Sequence, residues 1–159
     1  MCLPLKPFKV EREWEHAGLK CAVTLGREGG FRCGYVRVPP SHPSHGKGYN
    51  DVEVDVHGGL TFGREEPCAH DDGTGYWFGF DCAHCYDAST PPVMDPAWGE
   101  SARRIWEIDH DPKYAGGAEE HYWEHDEVVA ECERLAEQLA AMAMVAAAST
   151  TRRGENHDG

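Results

Sequence analysis

The chain has 159 residues, of which 40% are hydrophobic, and a formal net charge of −13. This length predicts one domain with one core, and the negative charge disfavours general binding to nucleic-acid backbones. No apolar run approaches the roughly 20 residues that span a bilayer, and the start of the chain lacks the apolar block of a signal peptide. We therefore expect a cytoplasmic protein that is not in a membrane, with its seven Cys reduced.

The first part of the chain predicts an arm followed by a hairpin. Residues 1–18 are mixed and polar, and we expect them to form an N-terminal arm over the surface. From residue 19 apolar side chains alternate with polar or smaller ones, which is the period of a half-buried strand: Leu19, Cys21, Val23 and Leu25. Phe31–Val38 reads as the partner strand after a Gly-rich turn.

A second alternation follows the Pro-rich and Gly-rich loop at residues 39–50. Val52, Val54 and Val56 are expected to point one way, while the acidic residues and His57 point the other way. The segment from residue 51 to His57 is therefore predicted to be a strand. Gly58 comes next, with a second glycine after it, and such a turn can present backbone amides to a ligand or simply reverse the chain.

Two later segments are predicted to place chemically active side chains near a strand end. Residues 63–75 read as a polar loop that contains Cys68 and His70. Residues 76–80 are aromatic on both faces apart from one glycine, which predicts a central strand covered on at least one side.

The clearest predicted element is a helix from about residue 126 to residue 147. Its apolar residues recur at spacings of four and three, forming one stripe: Val128, Cys132, Leu135, Leu139 and Met142. This stripe is expected to pack on the sheet, with dimerisation through it as the alternative. Residues 149–159 are expected to be disordered. The sequence thus predicts a single α+β domain over residues 19–148, in which one long C-terminal amphipathic helix packs on a small, mainly antiparallel sheet.

The tripeptide Cys-Ala-His occurs twice, at residues 68–70 and at residues 82–84. In an extended chain, residues two apart share a face, so Cys82 and His84 can bind one zinc ion through thiolate and imidazole. Cys68 and His70 would complete a four-ligand set. The other candidates for an additional ligand are Cys85, Asp81 and Asp87.

Three alternatives use the same region without a closed zinc site. In a hydrolytic site, Cys82 and His84 hold the metal while Asp81 or His57 activates water. In a metal-free site, Cys82 is a nucleophile with His84 as base and Asp81 as its orienter. In a purely structural version, the thiol is buried and the imidazole is simply hydrogen-bonded.

One further motif, at residues 121–125, matches a zinc-protease pattern but does not predict a site. His121, Glu124 and His125 fit the pattern HxxEH of inverted zinc proteases. That chemistry needs both imidazoles on one face of a helix, but glycines lie just upstream and the apolar stripe starts only at Val128. The motif is therefore expected to straddle the helix start.

Four fragments carry a resemblance: FRCGYVRVPPSHPSHGKGY, VHGGLTF, YWFGFDCAHCYD and EVVAECERLAEQLA. In this order, over residues 21–140, they resemble a group of small uncharacterised proteins encoded by bacteriophages and prophages. The resemblance places VHGG at His57 and GFDCAH at residues 79–84. It implies an accessory factor in the host cytoplasm that acts on host physiology or defence, and it carries no specific activity.

Two functions remain open at this point. In the first, a phage accessory protein handles a small polar ligand, such as a nucleotide-like molecule, by hydrolysis or capture at a His, Asp and Cys site with zinc. In the second, a non-catalytic acidic inhibitor binds a host defence protein, and the Cys and His cluster only stabilises the fold. Replacing His57 with Ala should abolish the first activity, whereas reversing the charge of exposed acids should abolish the second.

Overall fold

The computed structural model describes residues 8–26, 30–65, 74–88 and 120–154, together with positions 104, 107, 108 and 111. Within these ranges the chain forms β-strands, a short 3₁₀ turn at Tyr49–Asp51 and a long C-terminal α-helix. The strands are β1 Phe8–His16, β2 Leu19–Gly26, β3 Arg32–Val38, β4 Phe62–Glu65, β5 Tyr76–Asp81, β6 Asp87–Ala88 and β7 His121–Tyr122, and the helix is α1 His125–Gly154.

Five of the strands form an antiparallel sheet in the order β1-β2-β3-β5-β4. The predicted hairpin is confirmed, since β2 and β3 pair from Lys20 opposite Arg37 to Leu25 opposite Arg32. The aromatic strand β5 lies between β3 and β4 and is therefore central, as its apolar faces predicted. A short parallel pair, β6 with β7, lies outside this sheet.

The expectation of a surface arm at residues 1–18 is wrong for residues 8–16. They form β1, which pairs with β2 from Phe8 opposite Gly26 to His16 opposite Leu19. The segment looks polar because an edge strand is held mainly by backbone hydrogen bonds, and only part of it needs apolar contact. Trp14 supplies that contact by packing on the core. Residues 1–7 lie outside the described part of the chain.

The strand predicted from Asp51 to His57 is also wrong. The segment begins in the 3₁₀ turn and continues without a strand partner among the described residues. Val52 and Val56 are nevertheless buried, whereas Glu53 and Asp55 are exposed. The alternation of apolar and polar residues therefore indicates an extended chain with one buried side. Such a chain does not have to pair with a strand of a sheet.

Side chains of α1 take the place of the missing strand partner. The Gln138 amide accepts a hydrogen bond from the Asp55 backbone N–H at 2.7 Å and donates one to the Asp55 carbonyl at 2.9 Å. The His57 backbone N–H donates to the Glu131 carboxylate at 3.0 Å. The chain before the Gly58 turn is thus fixed to the helix through its backbone.

Two predicted boundaries differ from the structure. The loop expected at residues 63–75 begins with a strand, because β4 pairs with β5 from Phe62 opposite Gly79 to Glu65 opposite Tyr76. The tail expected from residue 149 is helical as far as Gly154. An established helix gains a hydrogen bond with each added residue, so the Ala-rich run carries it onward. No helix in the described part of the chain is long and apolar enough to cross a membrane.

The core lies between α1 and the sheet, which confirms the predicted α+β architecture. The predicted stripe faces inward, and four of its members are 0% exposed: Val128, Cys132, Leu135 and Leu139. Gly34 of β3 allows this close approach, since a Cβ atom there would overlap the Phe80 ring and the Cys132 sulfur. A smaller cluster on β2, β3 and β5 forms a second buried group, comprising Ala22, Cys33, Tyr35 and Trp77.

The three thiols predicted to be core residues are buried. Cys21, Cys33 and Cys132 are 1%, 5% and 0% exposed. Burial raises the pKa of the thiols of Cys21 and Cys33 to about 12 and also raises that of Cys132, so all three are protonated at neutral pH. They act as small apolar side chains.

The helix-to-sheet contact should dominate stability. We expect Leu135→Ala to lower the free energy of unfolding by about 2–5 kcal/mol, because it leaves a cavity in a fully buried position. Val10→Ala, on β1 and 40% exposed, is the matched control and should change it by less than about 1 kcal/mol. Urea unfolding followed by circular dichroism measures both values, and equal losses would contradict this placement of the core.

Candidate metal centre

Two turns bring three potential ligands together beside the start of α1. His57 is the second residue of the first turn, which is closed by a 3.0 Å hydrogen bond from the Gly59 N–H to the Val56 carbonyl. His84 opens the second turn, which is closed by a bond of the same length from the Asp87 N–H to the His84 carbonyl. Asp87 is also the first residue of β6. The three side chains therefore come from short, hydrogen-bonded segments.

The ligand atoms of His57, His84 and Asp87 all lie within 4.8 Å of one another. The His57 Nε2 is 2.7 Å from the Asp87 Oδ2, and the His84 Nδ1 is 3.6 Å from the same oxygen. The two imidazole rings are nearly perpendicular, with centroids 5.2 Å apart. This group of two nitrogens and one oxygen could hold a metal ion.

The Asp87 carboxylate is the centre of the group. Its side chain is 4% exposed, and Oδ2 accepts hydrogen bonds from the His57 ring and, at 2.8 Å, from the His84 backbone N–H. Oδ1 accepts a bond from the Trp123 indole at 2.9 Å. Burial acts to raise the pKa of this carboxyl group, but the three donors outweigh it and hold the pKa below its usual value. Asp87 is therefore an anion at neutral pH.

The Nδ1 atom of His84 is buried and has no hydrogen-bond partner among the described residues. It faces two carboxylates at distances too long for a hydrogen bond, 3.6 Å to Asp87 and 3.8 Å to Asp81. A buried ring nitrogen without a partner costs free energy, and a cation between it and Asp87 would remove that cost.

Gly58 makes room for the His84 ring. Its φ of +64° lies in the left-handed region, and a Cβ atom at this position would overlap the imidazole. Gly59 has a similar φ of +81°, but a Cβ atom there would meet nothing within 4 Å. The first glycine is thus required both by conformation and by space, and the second by conformation alone.

Trp123 contacts the group directly, and Arg32 holds Trp123 in place. The Trp123 ring packs on the His57 ring with centroids 4.3 Å apart, in addition to its bond to Asp87. Arg32 donates to the Trp123 carbonyl at 2.8 Å and to the Tyr122 hydroxyl at 3.0 Å, while the Glu11 carboxylate accepts from Arg32 at 2.7 Å. These contacts connect β1, β3 and β7 to the site. Sequence reasoning missed both residues because they are distant in the chain and match no motif.

The structure brings together only some of the predicted site residues. His57 and His84 are members of the group, and Asp87, one of the candidates for an additional ligand, replaces the predicted Cys. Asp81 lies at the edge, 27% exposed on its side chain, and accepts a 2.6 Å hydrogen bond from the Thr61 hydroxyl. Cys68 and His70 lie outside the described residues.

Cys82 is separate from the group. It is 1% exposed and packs in the core between the helix and the sheet. Burial raises the pKa of its thiol, and nearby carboxylates raise it further, so the thiol is protonated at neutral pH. A buried, protonated thiol is poorly suited to be a nucleophile.

The HxxEH residues do not share one helix face. His121 belongs to β7, whereas His125 is the first residue of α1, so the motif straddles the helix start as predicted. Each imidazole has its own carboxylate, since His121 contacts Glu127 at 3.2 Å and His125 contacts Asp126 at 2.9 Å.

The distances within the group can be compared with those in a bound metal site. Ligand atoms that lie about 2.0–2.2 Å from one ion are about 3.3 Å apart when they are arranged tetrahedrally. The His84-to-Asp87 distance is already close to this value. The His57-to-Asp87 distance of 2.7 Å is shorter because the two side chains are hydrogen-bonded to each other. If an ion were bound, the hydrogen bond from Trp123 would orient the carboxylate.

Comparison with known proteins gives no relative. The chain matches no protein-family model, no curated protein and no solved structure. The resemblance to phage proteins therefore stays a prediction, and the site has to be interpreted from its own geometry.

Gly58→Ala should disturb the site more than Gly59→Ala. Both changes put a side chain at positive φ, which costs about 1 kcal/mol, but only the first also displaces the His84 ring. We expect Gly58→Ala to lose at least about 1 kcal/mol more stability than its neighbour. Thermal unfolding and the His84 imidazole signals in NMR check this. Equal stability with unchanged signals would contradict the ring position.

Asp87→Asn should destabilise the metal-free protein by about 1–3 kcal/mol, because one of the carboxylate's acceptor positions is replaced by an amide donor. The pKa of Asp87 is lower in the folded protein than in the unfolded chain. The ionised carboxylate therefore stabilises the fold fully above the unfolded pKa of about 3.9, and this stabilisation is lost as the pH falls through the folded pKa. Below that pH the variant and the wild type should converge.

The measurement is urea unfolding in a chelator between pH 7 and acid pH. Asp126→Asn is the control, because that side chain is 97% exposed and should have almost no effect. A difference between Asp87→Asn and the wild type that does not change with pH would contradict an ionised, hydrogen-bonded Asp87.

Proposed function

We propose that the protein binds a zinc ion through His57, His84 and Asp87 and uses this centre to hydrolyse a small polar ligand. One observation carries the proposal: the ligand atoms converge within 4.8 Å, and one of them, the His84 Nδ1, is buried without a hydrogen-bond partner among the described residues. A ring nitrogen in that position is suited to a cation beside it.

The protonation states favour the same conclusion. A metal ligand must be deprotonated, and Asp87 is held as an anion by its surrounding donors. Two imidazoles with one carboxylate are borderline ligands that suit zinc better than calcium or magnesium, which prefer oxygen alone. Among the described residues the set has three members, whereas a closed structural zinc site has four protein ligands.

A zinc ion held by His57, His84 and Asp87 would supply the chemistry of lowering the pKa of a water molecule at the site to about 7. The His57 and His84 side chains are 22% and 31% exposed, so a small ligand can reach the group from solvent. Asp81 lies 3.8 Å from the His84 Nδ1, its side chain is 27% exposed, and its carboxylate can accept a proton. The bond from Thr61 fixes its direction.

The biological role in this proposal rests on the resemblance to phage and prophage proteins. The two motifs of that resemblance supply the two imidazoles, His57 from VHGGLTF and His84 from WFGFDCAH. An accessory enzyme of this kind would act in the host cytoplasm on a small polar molecule, such as a nucleotide-like one, that the host uses as a signal. A metal centre would offset the repulsion between an anionic ligand and a chain of charge −13.

The zinc content of untagged protein tests the metal centre. We expect one zinc per chain in the wild type and less than about a tenth of that in His84→Ala and in Asp87→Asn. His16→Ala is the matched control, because His16 also contacts carboxylates, Glu133 and Glu137, but is not in the group of potential metal ligands found among the described residues. Cys82→Ser should retain its zinc, because Cys82 lies in the core.

Mass spectrometry of the metal content and calorimetric zinc titration give the readout. A wild type without zinc that also fails to bind added zinc would contradict the centre. Loss of zinc in Cys82→Ser with the fold intact would restore the thiol as a ligand. Hydrolysis of p-nitrophenyl acetate by zinc-loaded protein, absent in His84→Ala, supports the enzymatic version, and zinc binding without it supports capture of the ligand.

A further inference from the structure

An exposed aromatic side chain is attached beside the candidate metal centre. Tyr86 stands between two of the potential ligands, two residues after His84 and one residue before Asp87. It is 63% exposed, compared with 37% for Tyr49, the other tyrosine among the large exposed side chains of the described chain. Because consecutive Cα atoms are about 3.8 Å apart, the ring is attached about 4 Å from the Asp87 Cα and at most about 8 Å from the His84 Cα.

The backbone at Tyr86 has a conformation that bulky residues rarely adopt. Its φ of +77° lies in the left-handed region, where the Cβ atom of any residue other than glycine is crowded. Within the described ranges, the other residue with positive φ that is not a glycine is Ala17. Such a conformation costs free energy, and residues that keep it are concentrated at functional sites.

The two turns of the centre differ at their third position. Gly58 is the third residue of the turn that the Gly59 N–H closes, and Tyr86 is the third residue of the turn that the Asp87 N–H closes. Both have positive φ, at +64° and +77°. A turn with positive φ at this position normally has glycine there. The first turn follows this rule, whereas the second has a large aromatic residue.

The backbone of the second turn is fixed without help from the Tyr86 ring. The Tyr86 carbonyl accepts a 2.8 Å hydrogen bond from the His121 N–H, next to the pairing of β6 with β7. The Asp87 N–H closes the turn on the His84 carbonyl at 3.0 Å. Glycine at position 86 would keep both bonds and would remove the crowding at Cβ. Since the ring is mostly in solvent, its burial does not offset the cost of the backbone conformation.

Charge alone would not draw an anionic ligand to this centre. Asp81 and Asp87 lie 3.8 and 3.6 Å from the His84 Nδ1, and the whole chain has a net charge of −13. These charges repel an anionic group until it reaches the ion. Stacking on an aromatic ring does not depend on net charge, and tyrosine supplies it at a small cost in entropy because its side chain has two torsions.

We infer that Tyr86 is a stacking platform for a planar heteroaromatic ring, and that the centre takes a ligand in which such a ring is joined to a polar group, as in a nucleotide. The inference rests on the proposed function, since the polar group would lie at the ion. An exposed side chain changes rotamer within nanoseconds, so the ring can adjust to a bound base. Removal of one stacking side chain typically weakens the binding of a base about tenfold.

Two probes test the platform on zinc-loaded protein: adenosine monophosphate, and ribose phosphate, which lacks only the base. By calorimetric titration, the wild type should bind adenosine monophosphate about tenfold more tightly than ribose phosphate. Tyr86→Gly should lose this preference, whereas Tyr86→Phe should keep it, because the ring without its hydroxyl still stacks. Tyr49→Ala is the control, since it removes an exposed tyrosine that belongs to neither turn of the centre, and it should keep the preference.

Thermal stability separates this role from a structural one. Tyr86→Gly should be at least as stable to heat as the wild type, because glycine suits the positive φ at this position. It should also keep the zinc content of the wild type. A Tyr86→Gly variant that melts several degrees lower would show that the ring stabilises the fold and would overturn the inference.

Zinc titration without either probe distinguishes failure of the platform from failure of the centre. A wild type that binds zinc but binds the two probes equally would overturn the inference and leave the metal centre intact. Retained preference in a folded, zinc-loaded Tyr86→Gly would do the same. A wild type that takes up no zinc would contradict the centre and the inference together.

Discussion

The buried Asp87 carboxylate is the interaction on which the site depends. It accepts hydrogen bonds from the His57 ring, the His84 backbone and the Trp123 indole, which belong to three separate segments of the chain. A buried anion without these donors would be costly, so the carboxylate and the segments stabilise one another. The same bonds that keep Asp87 ionised also hold the two imidazoles where a cation could join them.

The helix connects the site to the core. On one face, α1 packs its buried stripe on the sheet, and at its edge the carboxylate of Glu131 and the amide of Gln138 bond to the extended chain before Gly58. Arg134 donates to both oxygens of Glu131, at 2.8 and 2.9 Å, and fixes that carboxylate in place. The position of His57 therefore depends on helix side chains and not on a strand ladder. The alternation of apolar and polar residues from residue 51 to residue 57 could not reveal this, because buried and exposed positions alternate in any extended segment.

The fold was largely predictable because its signals are periodic. The stripe at Val128, Cys132, Leu135 and Leu139 predicted both the helix and its packing on the sheet, and the alternation from Leu19 predicted the hairpin. The errors fall on segments whose partners are not local in sequence. The polar residues 8–16 are held as an edge strand by backbone pairing, and β4 contains a glycine and two charged residues but completes the far edge of the sheet.

The sequence by itself determined which residue types could carry chemistry: it identified His57 and His84 and included Asp87 among the candidate ligands. Only the tertiary structure decided which of them meet. Cys82 and His84 are two apart, but β5 ends at Asp81, before both of them, so they do not share a strand face: the thiol packs in the core while the imidazole lies against His57. Distances between turns depend on the packing of the whole domain, and no local pattern encodes them. For the same reason, Trp123 and Arg32 could be recognised as part of the site only from their contacts.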